Sequence, residues 1–133
     1  MQVNPSIQVT KECDTSNASY PTGVRLRAGG GFTVCVKAKV KNTSTEQLIG
    51  VDFADNKLAA AFMDNGTLAP NETKSFFGCY DTNAPDNGEL TPGEAVFSDT
   101  ATAVAEGAVS HAPADGNQTA TCKLCPGADL VCD

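Results

Sequence analysis

Phe32-Thr-Val-Cys-Val-Lys-Ala-Lys-Val-Lys-Asn42 alternates apolar and polar side chains over its whole length. Phe32, Val34, Val36, Ala38 and Val40 share one face; Thr33, Cys35, Lys37, Lys39 and Lys41 share the other. In an extended chain of period two, that sets one face against a core and the other against water. The stretch reads as the central strand of a β-sheet. Gly29-Gly-Gly31 introduces it and Asn42-Thr-Ser44 closes it. The first supplies free φ, the second side-chain-to-backbone hydrogen bonds.

Outward from this strand, the chain offers further extended segments separated by turn chemistry. Ile7-Gln-Val-Thr-Lys-Glu-Cys13 alternates, with Pro5 before it to blunt an edge. Val24–Arg27 is a short strand candidate, and Gln47–Asp55 a longer one with Gly50 placed for a bulge. Leu58–Met63 fits a helical turn or a strand, and its length does not decide. Asn65-Gly66 and Pro70-Asn71-Glu72 signal turns. Thr73–Asp81 carries Phe76, Phe77 and Tyr80, the densest aromatic group in the chain, and Ala95–Ala105 and Thr119–Leu124 complete the set. About seven short strands without a convincing amphipathic helix predict an all-β fold: an antiparallel immunoglobulin-like β-sandwich, disulfide-stapled. Residues 1–124 are expected to form it, with 125–133 a cysteine-containing tail that is a linker or the start of a next unit.

The 133 residues, 41% of them hydrophobic, suffice for one domain with a real core. Nine Lys and Arg against 16 Asp and Glu give a formal charge of −7, which argues against nucleic acid and anionic membranes as partners. No apolar run approaches the roughly 18 residues of a membrane helix, so membrane insertion is not expected. The start lacks a charged, then apolar, then small-residue leader, so Met1 is expected to be an added start or the chain to begin after processing.

Six cysteines in so short a chain point to disulfides and an extracellular or cell-surface location. Strand parity pairs Cys35 with Cys79, both on the outer faces of neighbouring strands, opposite Val34/Val36 and Phe76/Tyr80. Cys13 would then staple the first strand to the C-terminal segment, leaving two of Cys122, Cys125 and Cys132 to close a small loop. The glycosylation triplet Asn-X-Ser/Thr occurs at Asn17, Asn42, Asn65, Asn71 and Asn117. Composition alone supplies about one to three such triplets at this length. All five fall where the sequence predicts turns or strand ends, so N-linked glycans are expected.

Val34-Cys-Val-Lys-Ala-Lys-Val-Lys-Asn-Thr-Ser44 followed by Leu48-Ile-Gly-Val-Asp-Phe-Ala-Asp55 resembles a family pattern: an alternating strand ending in Asn-Thr-Gly, then Leu-x-x-Val-x-Val-x-Asp. Gly66-Thr-Leu-Ala-Pro-Asn-Glu-Thr-Lys-Ser-Phe76 is similar to its Gly-x-Leu-Ala-Pro-Gly-Glu-Ser turn, and Ser98-Asp-Thr-Ala-Thr-Ala103 to its Asn-Thr-Ala-Thr-Ala strand. The family is the conserved-repeat immunoglobulin-like domain of extracellular surface proteins and adhesins, usually found in tandem. The resemblance runs from about Ile7 to Thr121. The chain departs from it at Ser44 and Asn71, each a glycine in the pattern, and in its cysteines. Both substitutions create glycosylation triplets.

Other constellations have blander readings. Cys122-x-x-Cys125 with Cys132 and Cys13 has the ligand count of a zinc site, but an oxidising compartment makes disulfides of the same residues. Redox chemistry needs Cys-x-x-Cys to open a helix, which Pro126-Gly127 opposes. Asp81, Asn83, Asp86, Asn87 and Glu89 gather oxygen ligands, yet their spacing misses the calcium-loop pattern by one residue. Ser110 and His111 lack the pocket that a hydrolase requires. No catalytic residue, metal or cofactor is therefore expected. The expected function is an extracellular structural module, a repeat or subunit of a surface fibre, filament or coat whose partners are copies of itself or neighbouring repeats, head to tail. The alternative is a carbohydrate- or protein-binding adhesin module, which the absence of Trp and the two Tyr disfavour. Pro126-Gly-Ala-Asp-Leu-Val-Cys132-Asp133 loosely echoes Pro5-Ser-Ile-Gln-Val-Thr-Lys-Glu-Cys13-Asp14, as though the tail began another first strand that could pair with a neighbour's sheet edge.

Overall fold

A computed structural model describes residues 4–14, 24–26, 31–58, 60–83 and 95–124. Eight strands follow one another: β1 (Ile7–Cys13), β2 (Val24–Leu26), β3 (Phe32–Asn42), β4 (Leu48–Asp55), β5 (Met63–Leu68), β6 (Thr73–Thr82), β7 (Ala95–Gly107) and β8 (Pro113–Leu124). They form two antiparallel sheets packed as an immunoglobulin-like sandwich, and no helix occurs among the described residues.

In the first sheet β3 is central, as its alternation requires. β6 pairs with nearly its whole length, from Phe32↔Thr82 to Lys41↔Thr73. β1 and β2 share its other side, β1 against Val36–Asn42 and β2 against Phe32–Val34. The second sheet runs β5-β4-β7-β8. Val34, Val36, Ala38 and Val40 are fully buried while Lys39 is exposed, so the predicted parity holds.

Gly50 has φ +58° and sits where β4 loses register with both neighbours, which is the bulge its position predicts. Elsewhere the sequence reading needs correction. Asn65-Gly66 is not the turn after β4; it lies inside β5, with Asn65 at positive φ and the β4–β5 register irregular. The turn comes earlier, at Asn56 and Lys57, and the strand resumes at Met63. β7 extends to Gly107 and β8 begins at Pro113 rather than Thr119, the two making one long hairpin.

The core is divided along the strands. One cluster contains Ile7, Val9, Ala38, Val40, Leu48, Val51, Phe53, Met63, Leu68, Ala101 and Ala103, with Phe62 and Phe76 packed against it. The rings of Phe53, Phe62 and Phe76 lie 5.1–5.8 Å apart, each in contact with the other two. The second cluster contains Val24, Phe32, Val34, Val36, Tyr80, Phe97 and Cys122. Gly78 lets Leu58 close over this second cluster, since a Cβ there would come within 2.5 Å of a Leu58 methyl.

Candidate functional site

The boundary between the two clusters is polar. Along β1 the inward residues run Ile7, Val9, Lys11, Cys13; along β4 they run Val51, Phe53, Asp55; along β7 they run Phe97, Asp99, Ala101. Period two therefore drives one lysine and two aspartates into an otherwise apolar interior. Lys11, Asp55 and Asp99 are 7%, 4% and 1% exposed. The Lys11 ammonium reaches across the sandwich and contacts both Asp55 Oδ2 and Asp99 Oδ2.

The carboxylates come from adjacent strands. Asp55 pairs with Ala101, and Asp99 stands two residues further along the same face of β7. Asp55 is held in orientation, because its Oδ1 accepts the Lys57 backbone N–H at 2.8 Å. Lys11 is fixed through its backbone as well. Opposite Ala38 in the β1–β3 ladder, its N–H donates outward to Gln118 Oε1 of β8 at 2.5 Å. Burial pushes the Lys11 ammonium below its ordinary pKa of 10.5, opposed by the hydrogen bond and charge of Asp99. Two carboxylates against one ammonium leave the cluster one negative charge in excess when all three are ionised. An uncompensated charge this far from water is expensive.

Two disulfides flank the smaller cluster. Cys35 and Cys79 are directly opposed in the β3–β6 ladder, as strand parity predicts. Cys13 bonds Cys122, joining β1 of one sheet to β8 of the other. Cys125 and Cys132, with the rest of the tail, lie outside the described residues.

The glycosylation triplets fare differently from one another. Asn65, Asn71 and Asn117 are exposed, although Asn65 lies within β5 and Asn117 within β8. Asn71 alone occupies a turn, at φ +65°. Asn17 lies outside the described residues. Asn42 requires a correction, because its side chain is fully buried. Its Nδ2 donates to the carbonyls of Glu46 (2.8 Å) and Leu68 (3.0 Å), and its Oδ1 accepts the Ser44 N–H at 2.9 Å and the Ser44 hydroxyl. A sugar on Nδ2 would replace one of these donors and has no space. The Asn-Thr-Ser motif at the end of β3 is a structural lock.

Glu46 ties this lock to the β7–β8 hairpin. Its Oε1 accepts the N–H groups of Val109 (2.9 Å) and Ser110 (3.0 Å), and these bonds hold its carboxyl below the ordinary range. In the same hairpin turn Ser110 Oγ accepts the Ala112 N–H, and His111 sits 3.9 Å from Glu106. Of the loop weighed for calcium, Asp81 accepts the Thr33 hydroxyl at 2.7 Å, while Asp86, Asn87 and Glu89 lie outside the described residues. Among the described residues no three His, Cys, Asp or Glu side chains converge as a metal-ligand set.

The sequence reading missed the buried cluster. Its signal was present: three strands whose inward parity each carries one charged residue, one cation and two anions.

No protein-family model and no curated protein matches the chain. Among solved structures, the ApaA protein of Bordetella pertussis aligns over 87% of this chain and 91% of its own at 12% identity, with a TM-score of 0.45. A likeness at that level carries no argument about function.

Proposed function

We propose that this domain is an extracellular structural module: a disulfide-bonded, glycosylated β-sandwich acting as one repeat or subunit of a surface fibre, filament or coat. The Cys13–Cys122 bridge carries the reading. A pull applied upstream of β1 and downstream of β8 runs along one strand to Cys13, crosses to Cys122 and leaves. The chain between them, a separation of 109 residues, is spared the tension. That path suits a link in an array. The resemblance to tandem surface repeats supports the same use, as do the exposed triplets at Asn65, Asn71 and Asn117. Copies or neighbouring repeats would join head to tail, since a heterologous contact that does not close builds a fibre.

Electron microscopy of the protein from its native source tests this. Fibres or a coat with the domain repeated end to end are expected, and a dispersed monomer overturns the proposal. Stretching a tandem protein from its ends sharpens it. The oxidised domain should release only the chain outside the bridge. Reduction should lengthen the released chain further, by at most the 109-residue separation, on the order of 350–400 Å.

A further inference from the structure

The buried Lys11–Asp55–Asp99 cluster is placed for a covalent reaction. We propose that Lys11 and Asp55 condense inside the folded domain to an isopeptide bond between β1 and β4, with Asp99 moving the protons.

The geometry supplies each requirement. The Lys11 ammonium is in contact with Asp55 Oδ2, so amine and carboxyl meet without any search. The Lys57 N–H on Asp55 Oδ1 holds the carboxyl in place and polarises the oxygen that remains as the amide carbonyl. Asp99 contacts the same ammonium, where it can accept a proton from nitrogen and return it to the departing oxygen. The lowered pKa of Lys11 favours the neutral, nucleophilic amine. All three side chains are shut off from water, which is the product of condensation and the agent of its reversal.

The step balances without an oxidant or co-reactant. The nitrogen lone pair forms the Nζ–Cγ bond, and the Cγ–Oδ2 bond breaks with its electron pair on oxygen. Two of the three ammonium protons leave on that oxygen as water, and Asp99 ends in the protonation state in which it began. Condensation also disposes of an ion pair that the interior tolerates poorly, since a neutral amide replaces it. The bond would join the two sheets at the polar layer between the core clusters.

This inference stands apart from the proposed function, because mass spectrometry of the isolated domain decides it. The protein from a non-glycosylating host, reduced and denatured, should be lighter than its sequence mass by one water. Its tryptic digest should lack cleavage after Lys11 and contain a branched peptide joining the Lys11 and Asp55 segments. Asp99→Asn and Asp99→Ser, each checked for native β-sheet by circular dichroism, should retain the full mass and be cut at Lys11. A wild-type chain at full mass overturns the proposal. So does a water loss that maps to Asp115-Gly116 as a base-labile cyclic imide, or a branch at Asp99. A folded Asp99 variant that still loses water removes Asp99 from the reaction.

Discussion

The two core clusters reach stability by different means. The one around Phe53 is the larger and is closed by side chains: a trio of aromatic rings and the buried Asn42 lock. The one around Phe97 is smaller and is closed by bonds. Cys13–Cys122 runs through it, and Cys35–Cys79 spans the outer face of the two strands that bear Val34, Val36 and Tyr80. Where apolar area runs short, covalent links take over, as small secreted domains do at the scale of a whole fold. The polar layer of Lys11, Asp55 and Asp99 separates the two regimes.

The largest effect should come from the cluster that depends on burial. Phe53→Ala removes a ring that is fully buried and in contact with two others. It should cost about 3–5 kcal/mol by urea denaturation. A loss below 1 kcal/mol would mean that the Phe53 side is not held by packing. The next concerns the stapled cluster: Cys13→Ser with Cys122→Ser should cost about 2–4 kcal/mol. Hydrogen exchange should accelerate at Val34, Val36 and Phe97 more than at Ala38 and Val40, and a uniform change would erase the contrast. Asn42→Ala strands the Glu46 and Leu68 carbonyls. It should cost about 1–3 kcal/mol and act on the Phe53 side.

The smallest effect is local and pH-dependent. Glu46 has its folded pKa depressed below 4.5 by bonds from Val109 and Ser110. Its contribution is therefore fully present above the unfolded value and lost as pH falls through the lower folded value. Amide protection at Val109 and Ser110 should decline over that acidic interval in the wild type. In Glu46→Gln protection should be independent of pH there; an unchanged acid decline in this variant would assign it to another group.

Much of this was legible in the sequence, for a physical reason. β3 is buried on one face along its whole length, so its period is clean and the pairing of its Cys35 with Cys79 of β6 follows from parity. β5 was not legible: Met63-Asp-Asn-Gly-Thr-Leu68 buries only its two ends, and its register with β4 is broken by the bulge. The hairpin stem of β8 was hidden by Pro113-Ala-Asp-Gly116, which reads as loop although it pairs with Ala103–Glu106. The buried cluster escaped because a charged residue in a strand is normally assigned to water. Lys11 sits on the inward parity of β1, but only the meeting of three strands supplies its partners.

The buried Asn42 also bears on the order of events in biosynthesis. Wherever this chain meets an N-glycosylating enzyme before folding, Asn42-Thr-Ser44 is an open acceptor, and it closes only once the end of β3 packs against the carbonyls of Glu46 and Leu68. Folding and modification then compete for the same nitrogen. A molecule that loses the race carries a sugar where the lock should be and cannot complete the sandwich, so occupancy at Asn42 would count the chains that folded too slowly.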